Sequence, residues 1–169
     1  MLGLVTAQAT ARPGSCHHSA MPDAPRSAVN SLAPGIPLWR KLGIREGWRV
    51  ALVGAPEGFE VENLPAGVEI RRSARGSADL TVWFVPSRAA LERQIVSMAP
   101  RARSSGLWIA WPKRASPLAS DLTDEVVRRA GIDHGLVDFK VCAIDSDWSG
   151  LRFNLLVTHL TRSDERGTT

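Results

Sequence analysis

The stretch ADLTVWFVPSRAALERQIVSMAPRARSSGLWIAWP, residues 78–112, decides the fold. The runs at 80–86 and 106–112 are apolar without alternation, and strands buried on both faces of a parallel sheet have this composition. Between them, SRAALERQIVSMA (87–99) places Leu91, Ile95 and Met98 at helical spacing, with Ser87 positioned as N-cap. A strand, a crossover helix and a second strand imply a parallel pair.

Working outward, RVALVGAP (49–56) is a further β-compatible apolar run, and VEIRR (68–72) alternates as an edge strand does. IPLWRKLGIREGW (36–48) predicts a short helix ending near Gly43 and a turn at Gly47. EGFEVENLPAG carries too many breakers for a long helix. Downstream, SDLTDEVVRRAGI (120–132) predicts a helix with Thr123 as N-cap, Asp124 and Glu125 at the positive end of its dipole, and a stop at Gly131. LVDFKVCAID (136–145) and LRFNLLVTH (151–159), joined by SDWSG, predict an antiparallel hairpin. The expected class is α/β: a three-layer, Rossmann-like, mostly parallel sheet resembling a reduced methyltransferase fold, with a C-terminal antiparallel hairpin.

Length and composition fit one such domain. The chain has 169 residues, 44% apolar and 22% charged, with a net charge of +4. Its pI of 9.8 overstates its basicity: with 18 Arg, three Lys and no Tyr, little titrates on the alkaline side to offset a small excess. Residues 1–30 are rich in Ala, Ser and Pro and read as a disordered tail, with Met21 as an alternative start. Residues 161–169 read as a frayed end, leaving a domain at 31–160. Cys16 and Cys142 make no disulfide scaffold, which fits a reduced, cytoplasmic protein. The opening residues lack the basic region and apolar length of a signal peptide. No run approaches the roughly 18 apolar residues of a membrane span.

Three buried runs end alike, at VGAPEG (53–58), FVPSR (84–88) and AWPKR (110–114): proline, then polar groups. Proline withholds a ladder donor and turns the chain out of the sheet. In open parallel α/β sheets that carboxyl rim bounds the ligand crevice. Glu57, Ser87, Arg88, Lys113, Arg114, Asp121 and Thr123 are therefore the expected binding residues, with backbone amides at Ser87 and Thr123 suited to an anion. The same pattern also serves merely to end strands, with the charges solvating loops. Charge is segregated along the chain: residues 57–69 carry only acids, 88–114 are net +5 and 121–147 net −4, which suggests a basic lip facing an acidic wall.

Standard motifs are missing. The position after the first strand reads G-A-P-E-G, short of the G-x-G-x-x-G that lets backbone approach a pyrophosphate, and VEIRRSARG ends in arginines where a ribose-binding acid would stand. No P-loop or G-x-S-x-G elbow occurs, so no cofactor is expected. Cys16-His17-His18 lacks metal-ligand geometry, and His134 and His159 are isolated. Cys142, sharing an alternating face with Asp138 and Lys140, reads as a small buried hydrophobe or as an activated thiol. Asp145 and Trp148 crowd the hairpin turn and, with Lys140, form a secondary candidate site. At +3 over residues 31–160 the domain lacks a nucleic-acid footprint.

The segments PLWRKLGIREGWRVALVGAPEGF, DLTVWFVPSRAALER, LWIAWPKRAS, SDLTDEVVR and GLVDFKVCAIDSDWSGLRF closely resemble domain-of-unknown-function family 3052, small bacterial proteins. The resemblance runs from about Pro37 to Phe153, with departures in the longer N-terminal tail and at Trp39, Arg114 and Ser120. It implies a self-contained cytoplasmic domain and draws attention to Lys113, Asp121, Thr123, Lys140, Asp145 and Trp148 without giving them a role. The functional expectation is a non-catalytic domain that binds a small anionic ligand or a protein partner. The alternative is a divergent methyltransferase-like or nucleotide-using enzyme with a degenerate cofactor site. A third is a structural subunit whose interface is marked by exposed Trp39 or Trp48. Oligomeric state stays open.

Overall fold

The computed structural model describes residues 35–155. They form, in chain order, α1 (Leu38–Leu42), β1 (Arg49–Val53), β2 (Glu69–Arg71), β3 (Leu80–Phe84), α2 (Arg88–Met98) with a 3-10 turn (Ala99–Arg103), β4 (Leu107–Pro112), α3 (Asp124–Asp133), β5 (Leu136–Ala143) and β6 (Trp148–Leu155). The expected tails, Cys16, His17, His18, His159 and the last residues of the C-terminal strand lie outside the described residues.

All six strands join one mixed sheet in the order β2-β1-β3-β4-β6-β5. β1 pairs in parallel with β2 and β3, and β3 in parallel with β4. β6 lies antiparallel to both β4 and β5. The class is α/β, and β2 takes the edge that its alternating sequence suggested.

Every residue of β3 and β4 is buried. Their side chains alternate between two cores. Trp83, Leu107, Ile109 and Trp111 meet Leu91, Ile95 and Met98 of α2 and Val127 of α3 on one face. Leu80, Val82, Phe84, Trp108 and Ala110 face α1 and the 55–64 segment, through Leu42, Val61, Phe59 and Leu64. Each large side chain so buried contributes about 1.5–3 kcal/mol. α1, at five residues, is too short to hold itself together. It is held by buried Leu42, by Gly43 in the left-handed region at φ 78°, and by the indole N–H of Trp108, which donates to Leu42 O at 3.0 Å.

Three expectations change. Gly131 does not stop α3; the helix runs to Asp133 and gives way at His134 and Gly135, where φ is 75°. Gly131 is needed for close approach, because a Cβ there would stand 2.3 Å from Cε1 of Phe153. In SDWSG, Trp148, Ser149 and Gly150 already belong to β6, opposite Pro112, Trp111 and Ala110. A β-bulge between Asp138 and Lys140 breaks the alternation of β5. Asp138 therefore lies opposite Phe153 and reaches Arg128 of α3, whereas Lys140 and Cys142 fall to the α1 side. β5 is an edge strand, and it exposes Val137, Phe139 and Val141.

Gly131→Ala offers a test of this packing. Alanine would favour the helix by about 1 kcal/mol, but its Cβ would force the fully buried Phe153 ring to shift. The expected net effect is a loss of about 1–2 kcal/mol, seen as a lower urea midpoint at unchanged slope. Adding Phe153→Leu should recover part of that loss, since contacting sites couple.

Candidate functional site

The loops leaving β1, β3 and β4 carry the expected rim residues, and Ser87 and Thr123 take the N-cap positions that the sequence suggests. Ser87 caps α2 by accepting from Ala90 N at 3.3 Å, and Thr123 caps α3 by accepting from Val126 N at 3.3 Å. Asp121 accepts from Arg88 N at 2.9 Å, so the amino end of α2 already has its anion, a carboxylate of the chain itself. This carboxylate takes up the Arg88 amide, next to the Ser87 amide expected to meet an anion. The Arg88 side chain turns to Glu92, one helical turn along, at 2.8 Å. Glu57 and Arg114 are exposed.

Lys113 belongs with the supposed secondary site. Its Nζ donates to Asp145 O at 2.5 Å and its backbone N–H to Asp147 O at 2.7 Å. Asp145 Oδ1 accepts from Asp147 N at 2.8 Å and Trp148 N at 2.7 Å, and Ser116 Oγ bonds Asp147 Oδ1 at 2.8 Å. Lys113, Asp145 and Trp148 thus form one bonded cluster that shapes the β5–β6 connection. Lys140 lies apart, donating to Lys41 O at the end of α1 at 3.3 Å.

Buried Trp148 meets Phe84 edge-on at 5.1 Å, and Phe84 meets Phe59 edge-on at 4.8 Å. Phe84 ends β3 and Trp148 stands opposite Pro112, the last residue of β4, so this row lies at the carboxyl ends of the parallel strands. Gly54 closes the same place: at φ 66°, a Cβ on it would stand 2.9 Å from Phe84 O. Arg72, just past β2, donates to Pro56 O at 3.2 Å and to Phe59 O, tying down the loop after β1. Sequence reasoning passed over Arg72, taking the arginines there only as the absence of an acid.

The basic block at 88–114 does not form one lip. α2 spans about 16 Å at 1.5 Å per residue, and it carries Arg101 and Arg103 away from the strand ends where Arg88, Lys113 and Arg114 lie. Trp39 and Trp48 are half-buried against the second core, with Arg40 and Arg45 over their rings at 5.1 and 5.6 Å, so neither is the exposed interface marker expected. His134 is exposed, its Nδ1 2.8 Å from Ala130 O. Burial pushes the Cys142 thiol up from its ordinary range, outweighing the opposite pull of Lys140 and Lys41.

Two outcomes follow. Asp145→Ala leaves the amides of Asp147 and Trp148 without their acceptor and should cost about 1–3 kcal/mol in urea unfolding. A raised pKa means less thiolate at any given pH than in the unfolded chain. Iodoacetamide should therefore label Cys142 more slowly in the native protein than in guanidinium at pH 7–8, with the native rate still climbing at pH values where the unfolded rate has levelled off; peptide-resolved mass spectrometry reads both.

Among the described residues, no helix is long and apolar enough to cross a membrane. No protein-family model matches the chain, and no curated protein is significantly similar to it.

Proposed function

We propose that this chain is a non-catalytic, cytoplasmic binding or regulatory domain that engages a partner through the carboxyl rim of a reduced, methyltransferase-like sheet. The carrying observation is that, beside the β1–β3 boundary where the strand order reverses, the loop after β1 is held down by the protein's own contacts. Open α/β sheets take their ligands at such a switch point. Here Phe59 packs on Phe84, Gly54 backs onto Phe84 O, and Arg72 holds the carbonyls of Pro56 and Phe59. A loop pinned in this way is poorly placed to wrap a pyrophosphate.

The finer fold reading, a three-layer Rossmann-like sandwich, draws support from the strand order and from a reversed β6 lying between β4 and β5. Cores on both sheet faces support it too. The reduction consists in the missing helix between β1 and β2, where residues 54–68 make turns and bends instead. Such an analogy concerns fold and carries no activity. Membership of domain-of-unknown-function family 3052 is part of the proposal and rests on the sequence strings. The bonding of Lys113, Asp145 and Trp148 gives two of those strings a structural reason.

A protein partner suits this rim better than a small anion. Glu57, Arg88 with Glu92, Arg114 and Asp121 present both signs of charge, and Asp121 already occupies the start of α2. Mixed charge of this kind steers and orients a complementary protein surface. Calorimetry with S-adenosylmethionine and with adenosine, which carries no phosphate, tests the non-catalytic reading. The expected result is no saturable heat. Binding of either with a Kd below roughly 1 mM, the upper end of ordinary KM values, would favour the enzyme alternative.

A further inference from the structure

At the opposite end of the sheet, three arginines converge. The turn before β1 supplies Arg45 and Trp48, the turn after α2 supplies Arg103 and Ser104, and β6 supplies Arg152 and Asn154. They line a hollow of about 350 Å³ that no carboxylate of the described residues lines. That volume falls within the roughly 300–1,000 Å³ usual for small-molecule sites.

Arg152 is the fixed point of this hollow. Its Nη2 donates to Ser105 O, and its guanidinium lies over the Phe139 ring at 5.7 Å. Two glycines make room for it: a Cβ on Gly43 would stand 2.9 Å from Nη1, and one on Gly106 would stand 2.9 Å from Nε. Nε is buried and has no hydrogen-bond partner among the described residues. Burial, and then the nearby charge of Arg45, both lower the pKa of Arg152. An arginine nonetheless stays charged at working pH. A fixed, part-buried cation beside further cations is costly without a counter-charge. Asp79 does not serve: its carbonyl accepts from Ser105 N, but its carboxylate accepts from Arg49 N at 2.8 Å.

We propose that this hollow is a binding site for a small phosphorylated anion, held by Arg45, Arg103 and Arg152. Guanidinium groups present forked donors that match phosphate oxygens. Three of them suit a multiply charged phosphate group, whereas a single carboxylate would offset only one. The hydroxyl of Ser104 and the amide of Asn154 add neutral partners at the edge. This site is separate from the carboxyl rim, and it stands or falls independently of the partner-binding reading.

The test is calorimetry on the full chain with inorganic pyrophosphate as probe and citrate as a carboxylate comparator. Pyrophosphate should saturate one site per chain and bind more tightly than citrate. Arg45→Ala with Arg103→Ala, both on exposed side chains, should weaken it by about tenfold or more, as expected for lost charge-assisted bonds. Arg88→Ala with Arg114→Ala at the rim should leave it unchanged. In the native protein, the Nε–Hε resonance of Arg152 should shift on titration, which requires no substitution at that part-buried position. Absence of saturation, citrate binding as tightly as pyrophosphate, or an unaltered Kd in the Arg45/Arg103 variant would overturn the proposal.

Discussion

The structure depends on β3 and β4 being buried on both faces. A strand pair with no polar side toward water must be covered twice, and the chain on either side of it is arranged to do so. α2 and α3 cover one face. The other receives α1 and an irregular segment, which amount to less secondary structure but suffice because Trp108 and Phe84 are large. The hydrogen bond from Trp108 to Leu42 O joins the two halves of this arrangement, since it satisfies a buried indole N–H and anchors the shortest helix in one contact.

What could be read from the sequence follows the same division. Continuous apolar runs and capping residues are local signals, and Ser87, Thr123 and Gly43 do what their types suggest. Gly131 misled because a helix-ending glycine and a close-packing glycine look alike until Phe153 is placed beside it. The alternation of β5 misled because one bulge, invisible to a period-2 reading, sends Asp138 and Lys140 to opposite faces. Both are tertiary facts written in ordinary residue types.

The rim was legible as a place. Its chemistry was not, because capping and binding call on the same residues. A carboxylate next to a helix start can receive a cation or cap an amide, and Asp121 does the latter. A lysine after a strand can bind a phosphate or close a turn, and Lys113 does the latter. The three-arginine hollow was illegible for a different reason: Arg45, Arg103 and Arg152 are far apart in sequence, and the charge block containing Arg103 is split by a helix that runs from one end of the sheet to the other.

The bulge in β5 has one more consequence. Among the described residues β5 is an edge strand that shows Val137, Phe139 and Val141 to solvent, a template on which another chain could build a continuing sheet. A bulge interrupts the even run of backbone donors and acceptors and increases the local twist. An incoming strand would meet a regular stretch only on one side of the irregularity, never along its length. The fold can therefore keep apolar side chains on an open edge while withholding the straight, repeating ladder that fibril growth requires.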